Sequence, residues 1–208
     1  MAPAARTSIA GAAGPIEAAV HAAEDPRAVA VVAHPHPLYG GTMDNKVVTT
    51  LARAFVEAGA ATWRFNFRGV GNTAGVHDEG RGETDDLVRV AQAALAAHPG
   101  LPLWLAGFSF GGAVALAASE RLEVGEMVLV APAFARLAHW PHAATGGRLP
   151  PRVLLIHGDG DDTVPLSASI DWARSREQAV SVVPGADHFF HGRLHVVRDL
   201  ARRWVCSR

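Results

Sequence analysis

Ser109 is the residue in this chain best placed to do chemistry. It sits in Gly107-Phe108-Ser109-Phe110-Gly111, a Gly-x-Ser-x-Gly pattern. A serine hydroxyl is a weak nucleophile until a base takes its proton and a strained turn presents its oxygen. The glycines supply room, because a side chain at Gly107 or Gly111 would collide with the neighbouring strand and helix. Leu101–Ala106 is a short apolar run that reads as a buried strand, and Gly112–Ala118 is rich in helix formers. Strand, tight turn and helix together lift the Ser109 hydroxyl above the carboxyl edge of a sheet. They also aim the Phe110 N–H at the space beside it, at a helix N-terminus that favours negative charge. Without partners the same serine would merely cap a helix.

The partners are expected downstream, in the order serine, acid, histidine. The apolar run Val153–Ile156 is followed by His157-Gly158-Asp159-Gly160-Asp161-Asp162-Thr163-Val164-Pro165, which offers three carboxylates. We select Asp161, which the glycines at 158 and 160 place at the tip of the turn. Asp162 is assigned to capping the turn into Thr163, and Asp159 to stabilising the loop. The run Val180–Val183 is followed by Pro184-Gly185-Ala186-Asp187-His188. His188, the first histidine after that strand, is the expected base, and the acid would hold its tautomer and stabilise the imidazolium. Ser109, Asp161 and His188 all fall just past strand ends.

A tetrahedral intermediate needs two backbone donors for its oxyanion. Phe110 is one. The other should come from His34-Pro35-His36-Pro37-Leu38-Tyr39-Gly40-Gly41, which follows the apolar run Val29–Ala33. Proline carries no N–H, so His36 and Leu38 remain. His36 lies closer to the strand end and is preferred.

These residues need a scaffold that brings strand ends together. Residues 6–10 and 16–20 flank a Gly/Pro-rich turn and read as an antiparallel hairpin. Val29–Ala33, Thr62–Phe67, Leu101–Ala106, Met127–Ala131, Val153–Ile156 and Val180–Val183 read as strands. Helices are expected at residues 47–58, 85–97, 112–118 and 167–175. A last helix carries Phe190, Leu194, Val197, Ala201 and Trp204 on one face, with His191 and His195 also on it. Such alternation gives an α/β fold: a doubly wound, mostly parallel sheet with an N-terminal antiparallel hairpin. Sites in such sheets lie beyond the carboxyl strand ends. The chain is expected to form one domain over residues 1–208. About twenty residues separate Ala131 from Arg152, too few for a large helical lid.

The chain has 208 residues, of which 49% are hydrophobic, and a net charge of −1. That composition describes a folded protein and argues against nucleic acid or an anionic membrane as partner. The lone cysteine, Cys206, excludes an intramolecular disulfide and suits a reducing compartment. Without an apolar leader or a membrane span, a cytoplasmic location is expected. A monomer or a homodimer would serve.

The 11 histidines invite a metal reading. His34 with His36, or His191 with His195, could be spaced for zinc, but no cysteine cluster or His-Glu-x-x-His accompanies them. We expect no metal and no cofactor. Arg68-Gly69-Val70-Gly71 lacks the lysine of a phosphate loop, and Arg68 reads as a structural ion pair. Tyr39 could line the pocket mouth or hydrogen-bond the oxyanion loop. Trp140, beside His139, could shape an acyl pocket or pack on the sheet edge. Phe108 and Phe110 read as core packing.

The segments His34–Lys46, Arg64–Gly71, Gly82–Leu87, Gly107–Gly111 and Gly185–Gly192 resemble the signature segments of a known family. These are the small, lidless serine hydrolases of the α/β-hydrolase fold. The likeness covers nearly the whole chain from His34 onward, with Gly112 standing where many relatives carry a somewhat larger residue. It implies an α/β-hydrolase fold with Ser109 as nucleophile, Asp161 as acid and His188 as base. It also implies an esterase-like activity on small carboxylic esters or thioesters. A peptidase or lactonase would use the same three residues. A protein that kept the fold only to bind a ligand would need neither acid nor base.

Overall fold

The strand at Ala28–Ala33 is buried along its whole length, and its side chains divide between two cores. Val29, Val31 and Ala33 join Phe65, Leu105 and Val114 on one face. Ala28, Ala30 and Val32 join Leu51, Phe55 and Trp104 on the other. A strand with helices on both sides has no solvent face, so its sequence is continuously apolar. The computed structural model describes residues 3–135 and 149–207. His139 and Trp140 lie outside the described residues.

In chain order the elements are β1 (Ala5–Gly11), β2 (Gly14–His21), β3 (Ala28–Ala33), α1 (Lys46–Glu57), β4 (Ala60–Phe65), α2 (Arg81–Ala97) and β5 (Leu103–Phe108). There follow α3 (Phe110–Ser119), β6 (Val124–Val130), β7 (Val153–Gly158), α4 (Leu166–Arg174), β8 (Val180–Val183) and α5 (Leu194–Cys206). Eight strands form one sheet in the order β1-β2-β4-β3-β5-β6-β7-β8. β1, β2 and β4 pair antiparallel, and every pairing from β4 to β8 is parallel. The core on one face takes residues of α2 and α3, and the core on the other takes residues of α1 and α5. The fold is therefore a doubly wound α/β sheet with an N-terminal hairpin, and the described residues form no large lid.

Several boundaries differ from the sequence reading, each for a local reason. β4 ends at Phe65, not Phe67. The Asn66 N–H donates to Glu17 O at 2.9 Å, and the Phe67 N–H leaves the ladder to donate to His34 Nε2 at 3.0 Å. β5 begins at Leu103, because Pro102 has no N–H to give the ladder. It runs on through Phe108, so strand pairing continues up to the residue before Ser109. α2 begins at Arg81, four residues early. The buried Glu83 carboxylate accepts the Gly80 and Asp78 amides, at 2.8 and 2.9 Å, and fixes that helix start.

α5 begins at Leu194, so Phe190 and His191 precede the helix. Phe190 (φ 55°) and Gly192 (φ 69°) interrupt helical geometry. His191 sits on a turn, where Asp187 accepts from its backbone N at 3.0 Å and pairs with its Nδ1 at 2.6 Å. Arg68 is the structural ion pair expected: its Nε and Nη2 donate to the two oxygens of buried Asp86 at 2.9 and 2.8 Å.

Candidate active site

Backbone strain positions Ser109. Its φ of 55° and ψ of −118° place a non-glycine residue in left-handed territory, between the end of β5 and the first turn of α3. Such a conformation persists only where its neighbours enforce it. The Ser109 N–H donates to Val130 O at 2.9 Å, and the Ser109 carbonyl accepts from Gly112 N and Ala133 N, both at 3.0 Å. A Cβ on Gly107 would strike the Gly111 carbonyl, and one on Gly111 would strike the carbonyls of Ala33 and His34. The glycines therefore let strand and helix backbones touch. Phe108 and Phe110 are buried, as core packing requires.

The histidine and the acid arrive from the far side of the sheet. Past β8, His188 directs Nε2 at Ser109 Oγ, 3.1 Å away, and Nδ1 at Asp161 Oδ2, 2.7 Å away. Asp161 lies past β7, and its other oxygen accepts the amides of Thr163 and Val164 at 2.9 and 2.8 Å. The carboxylate thus makes the turn that sequence reasoning assigned to Asp162, which here accepts from Thr163 Oγ1 at 3.2 Å. Asp159 braces the loop by accepting the Gly185 amide at 2.6 Å. Among the three acids, the structure brings Asp161 to the histidine.

Burial alone would push the Asp161 carboxyl upward. The hydrogen bonds from His157, His188 and the Val164 amide outweigh it and hold the group well below the usual carboxylate range. The acid is therefore a charged acceptor for His188 Nδ1–H.

The loop after β3 forms a single 3-10 turn, Pro37–Tyr39. The His36 carbonyl accepts from Tyr39 N and Gly41 N at 3.1 Å each. The Leu38 amide donates back to His36 Nδ1 at 3.2 Å, so one of the two donors considered from sequence is already engaged. The His36 ring packs on the rings of Tyr39, His77 and Phe110, each 4.8 Å away or, for His77 against Phe110, 5.6 Å. Tyr39 is itself 79% exposed.

Two buried histidines and one half-buried one make contacts that the sequence reading did not anticipate. His34 accepts the Phe67 amide on Nε2, so its Nδ1 carries the proton and donates to Pro35 O at 2.6 Å. Burial pushes its pKa down to about 4, keeping it neutral. His77 lies with Nδ1 2.9 Å from the buried Glu83 carboxylate. His157 lies beneath Asp161. None of these contacts joins residues at a spacing that a motif would flag. A cavity of about 920 Å³ opens at the opposite, amino edge of the sheet, lined by Leu101, Leu122, Val124 and Leu149, away from all of these groups. Among the described residues no cluster of three or more His, Cys, Asp or Glu is placed to hold a metal, and no helix is long and apolar enough to cross a membrane.

A family model described as serine aminopeptidase, S33, matches residues 24–149. The chain belongs to the α/β serine hydrolases. A lidless α/β serine hydrolase from Xanthomonas campestris superposes on this hydrolase with a TM-score of 0.87 and 40% identity, over 99% of this chain and 94% of that one. An α/β serine hydrolase homologue from Coxiella burnetii gives a TM-score of 0.86 and 36% identity, over 98% of each chain. An uncharacterised protein of Rickettsia prowazekii is 32% identical over 187 residues, 85% of this chain and 78% of that protein. Such relatives agree with a hydrolase whose sheet edge carries a serine bonded to a histidine.

Proposed function

We propose that this hydrolase cleaves small carboxylic esters or thioesters through an acyl-enzyme on Ser109. The observation that carries the reading is the unbroken chain from Ser109 Oγ to His188 Nε2, 3.1 Å, and from His188 Nδ1 to Asp161 Oδ2, 2.7 Å. Ser109 Oγ attacks the carbonyl carbon while His188 Nε2 takes its proton. Asp161 stabilises the imidazolium without accepting that proton. The tetrahedral oxyanion is received by the Phe110 amide, which as the first residue of α3 has no acceptor within the helix. The His36 amide is the second donor, supported by the engagement of Leu38 N with the His36 ring. His188 returns the proton to the leaving alcohol or thiol. Water, deprotonated in turn by His188, then releases the acid and restores Ser109.

Tyr39, exposed and packed on His36, borders the entrance on this reading. The test is a panel of p-nitrophenyl esters of increasing acyl length, the matching acyl thioesters and aminoacyl p-nitroanilides, with Ser109→Ala beside the wild type. The reading expects turnover of short esters or thioesters, with an initial burst of nitrophenolate, and none in the variant. Turnover confined to the anilides would make the protein a peptidase. Turnover of nothing by a folded protein would leave a binding role.

A further inference from the structure

We infer that His157 is a positioning residue that acts through Asp161, sharing the carboxylate oxygen that also serves His188. His157 lies on β7 and is fully buried, like Ser169 on α4. Its Nε2 lies 2.9 Å from Val164 O and 3.3 Å from Asp161 Oδ2. Val164 O is an acceptor, so Nε2 carries the proton and donates it there, with the Asp161 oxygen lying beside the same N–H. Nδ1 is then the acceptor, and the Ser169 hydroxyl donates to it at 2.8 Å. The result is a directed line: the Ser169 O–H donates to His157, the His157 N–H lies against Asp161 Oδ2, and the His188 Nδ1–H donates to the same Asp161 oxygen at 2.7 Å.

What this second donor does follows from what holds the carboxylate. Asp161 Oδ1 already takes the Thr163 and Val164 amides, so the group keeps its place without His157. The His157 N–H instead draws on the charge of Oδ2 and weakens its pull on His188. Its removal should tighten the Asp161–His188 bond. Ser169 adds to this, because a hydroxyl donating to Nδ1 polarises the ring and makes Nε2–H a better donor.

The inference rests on Asp161 and His188 being the acid and base proposed above, but its test reads their hydrogen bond directly. The low-field proton resonance of His188 Nδ1–H would be recorded by NMR for the wild type, His157→Leu, His157→Gln and Ser169→Ala. His157→Leu should move the resonance downfield. His157→Gln, whose amide can donate from nearly the same point, should restore the wild-type position. Ser169→Ala should move it downfield by less, and decides the matter if His157→Leu does not fold. An unchanged resonance in the variants would overturn the inference. So would an upfield move or loss of the signal, which would mean that His157 only keeps Asp161 in place. Failure of Ser109 to react with an acylating probe would instead remove the hydrolase reading while leaving the NMR result standing.

Discussion

The two sides of the site are held by different physics. On the side of β3 and β5, backbone meets backbone: Gly107 and Gly111 admit a contact between strand and helix that no side chain would allow, and Ser109 is strained into it. Rings fill the remaining space there, with His36 packed on Tyr39, His77 and Phe110. On the side of β7 and β8, polar groups meet polar groups. Asp161 accepts from two amides and lies against two imidazoles, while Asp159 ties its loop to Gly185. A nucleophile needs a fixed backbone direction, which steric fit supplies. An acid–base pair needs a fixed charge, which hydrogen bonds supply. Substitutions should therefore separate by side: the first should fail in folding, the second in chemistry.

The largest effect is expected on the polar side. Asp161→Asn keeps the shape but turns a charged acceptor into an amide that sets the wrong tautomer, and kcat should fall roughly 10⁴-fold. The melting temperature should fall but the fold should survive, because the native state loses a stabilising charge while the Asn oxygen can still accept the Thr163 and Val164 amides; a collapse of the fold would erase the contrast. On the steric side, Gly111→Ala drives a methyl into the carbonyls of Ala33 and His34. Urea unfolding should show a loss of about 3 kcal/mol or more, where a merely permissive glycine would lose nearly nothing.

A third test concerns pH. The buried His34 has its pKa lowered from 6.5 to about 4. Between those values the unfolded chain binds a proton that the native one does not, so stability is full above pH 6.5 and drains as pH falls toward 4. The drain attributable to this one group is about 3 kcal/mol. His34→Gln, measured by urea unfolding from pH 7 to 4.5, should flatten that slope. Asp161, also lowered, draws its share only below the ordinary carboxylate range. The smallest effect belongs to Asp159→Ala, which releases one exposed bond to Gly185 and should cost about 1 kcal/mol, with kcat within about twofold.

The same contrast explains what the sequence could show. The glycine-framed serine, the apolar strands and the order serine, acid, histidine are local patterns, and all of them are legible. The choice among Asp159, Asp161 and Asp162 rested on glycine spacing and agrees with the hydrogen bond to His188, although the reason given for Asp162 did not hold. What stayed hidden is tertiary. His34 reaches Phe67, His157 reaches Ser169, and His77 reaches Glu83, each joining elements whose packing no periodicity encodes. Two misses had local signals. The acidic Asp78 and Glu83 around Gly80 marked the start of α2, and Gly192 marked a break before α5.

The most direct measurement is labelling of the intact protein with a fluorophosphonate, followed by mass mapping. A single adduct on Ser109 is expected, absent from Ser109→Ala and lost with His188→Ala. An adduct on another residue, or none on a folded wild-type protein, would show that the hydrogen-bonded line from Ser109 to Asp161 does not activate the serine.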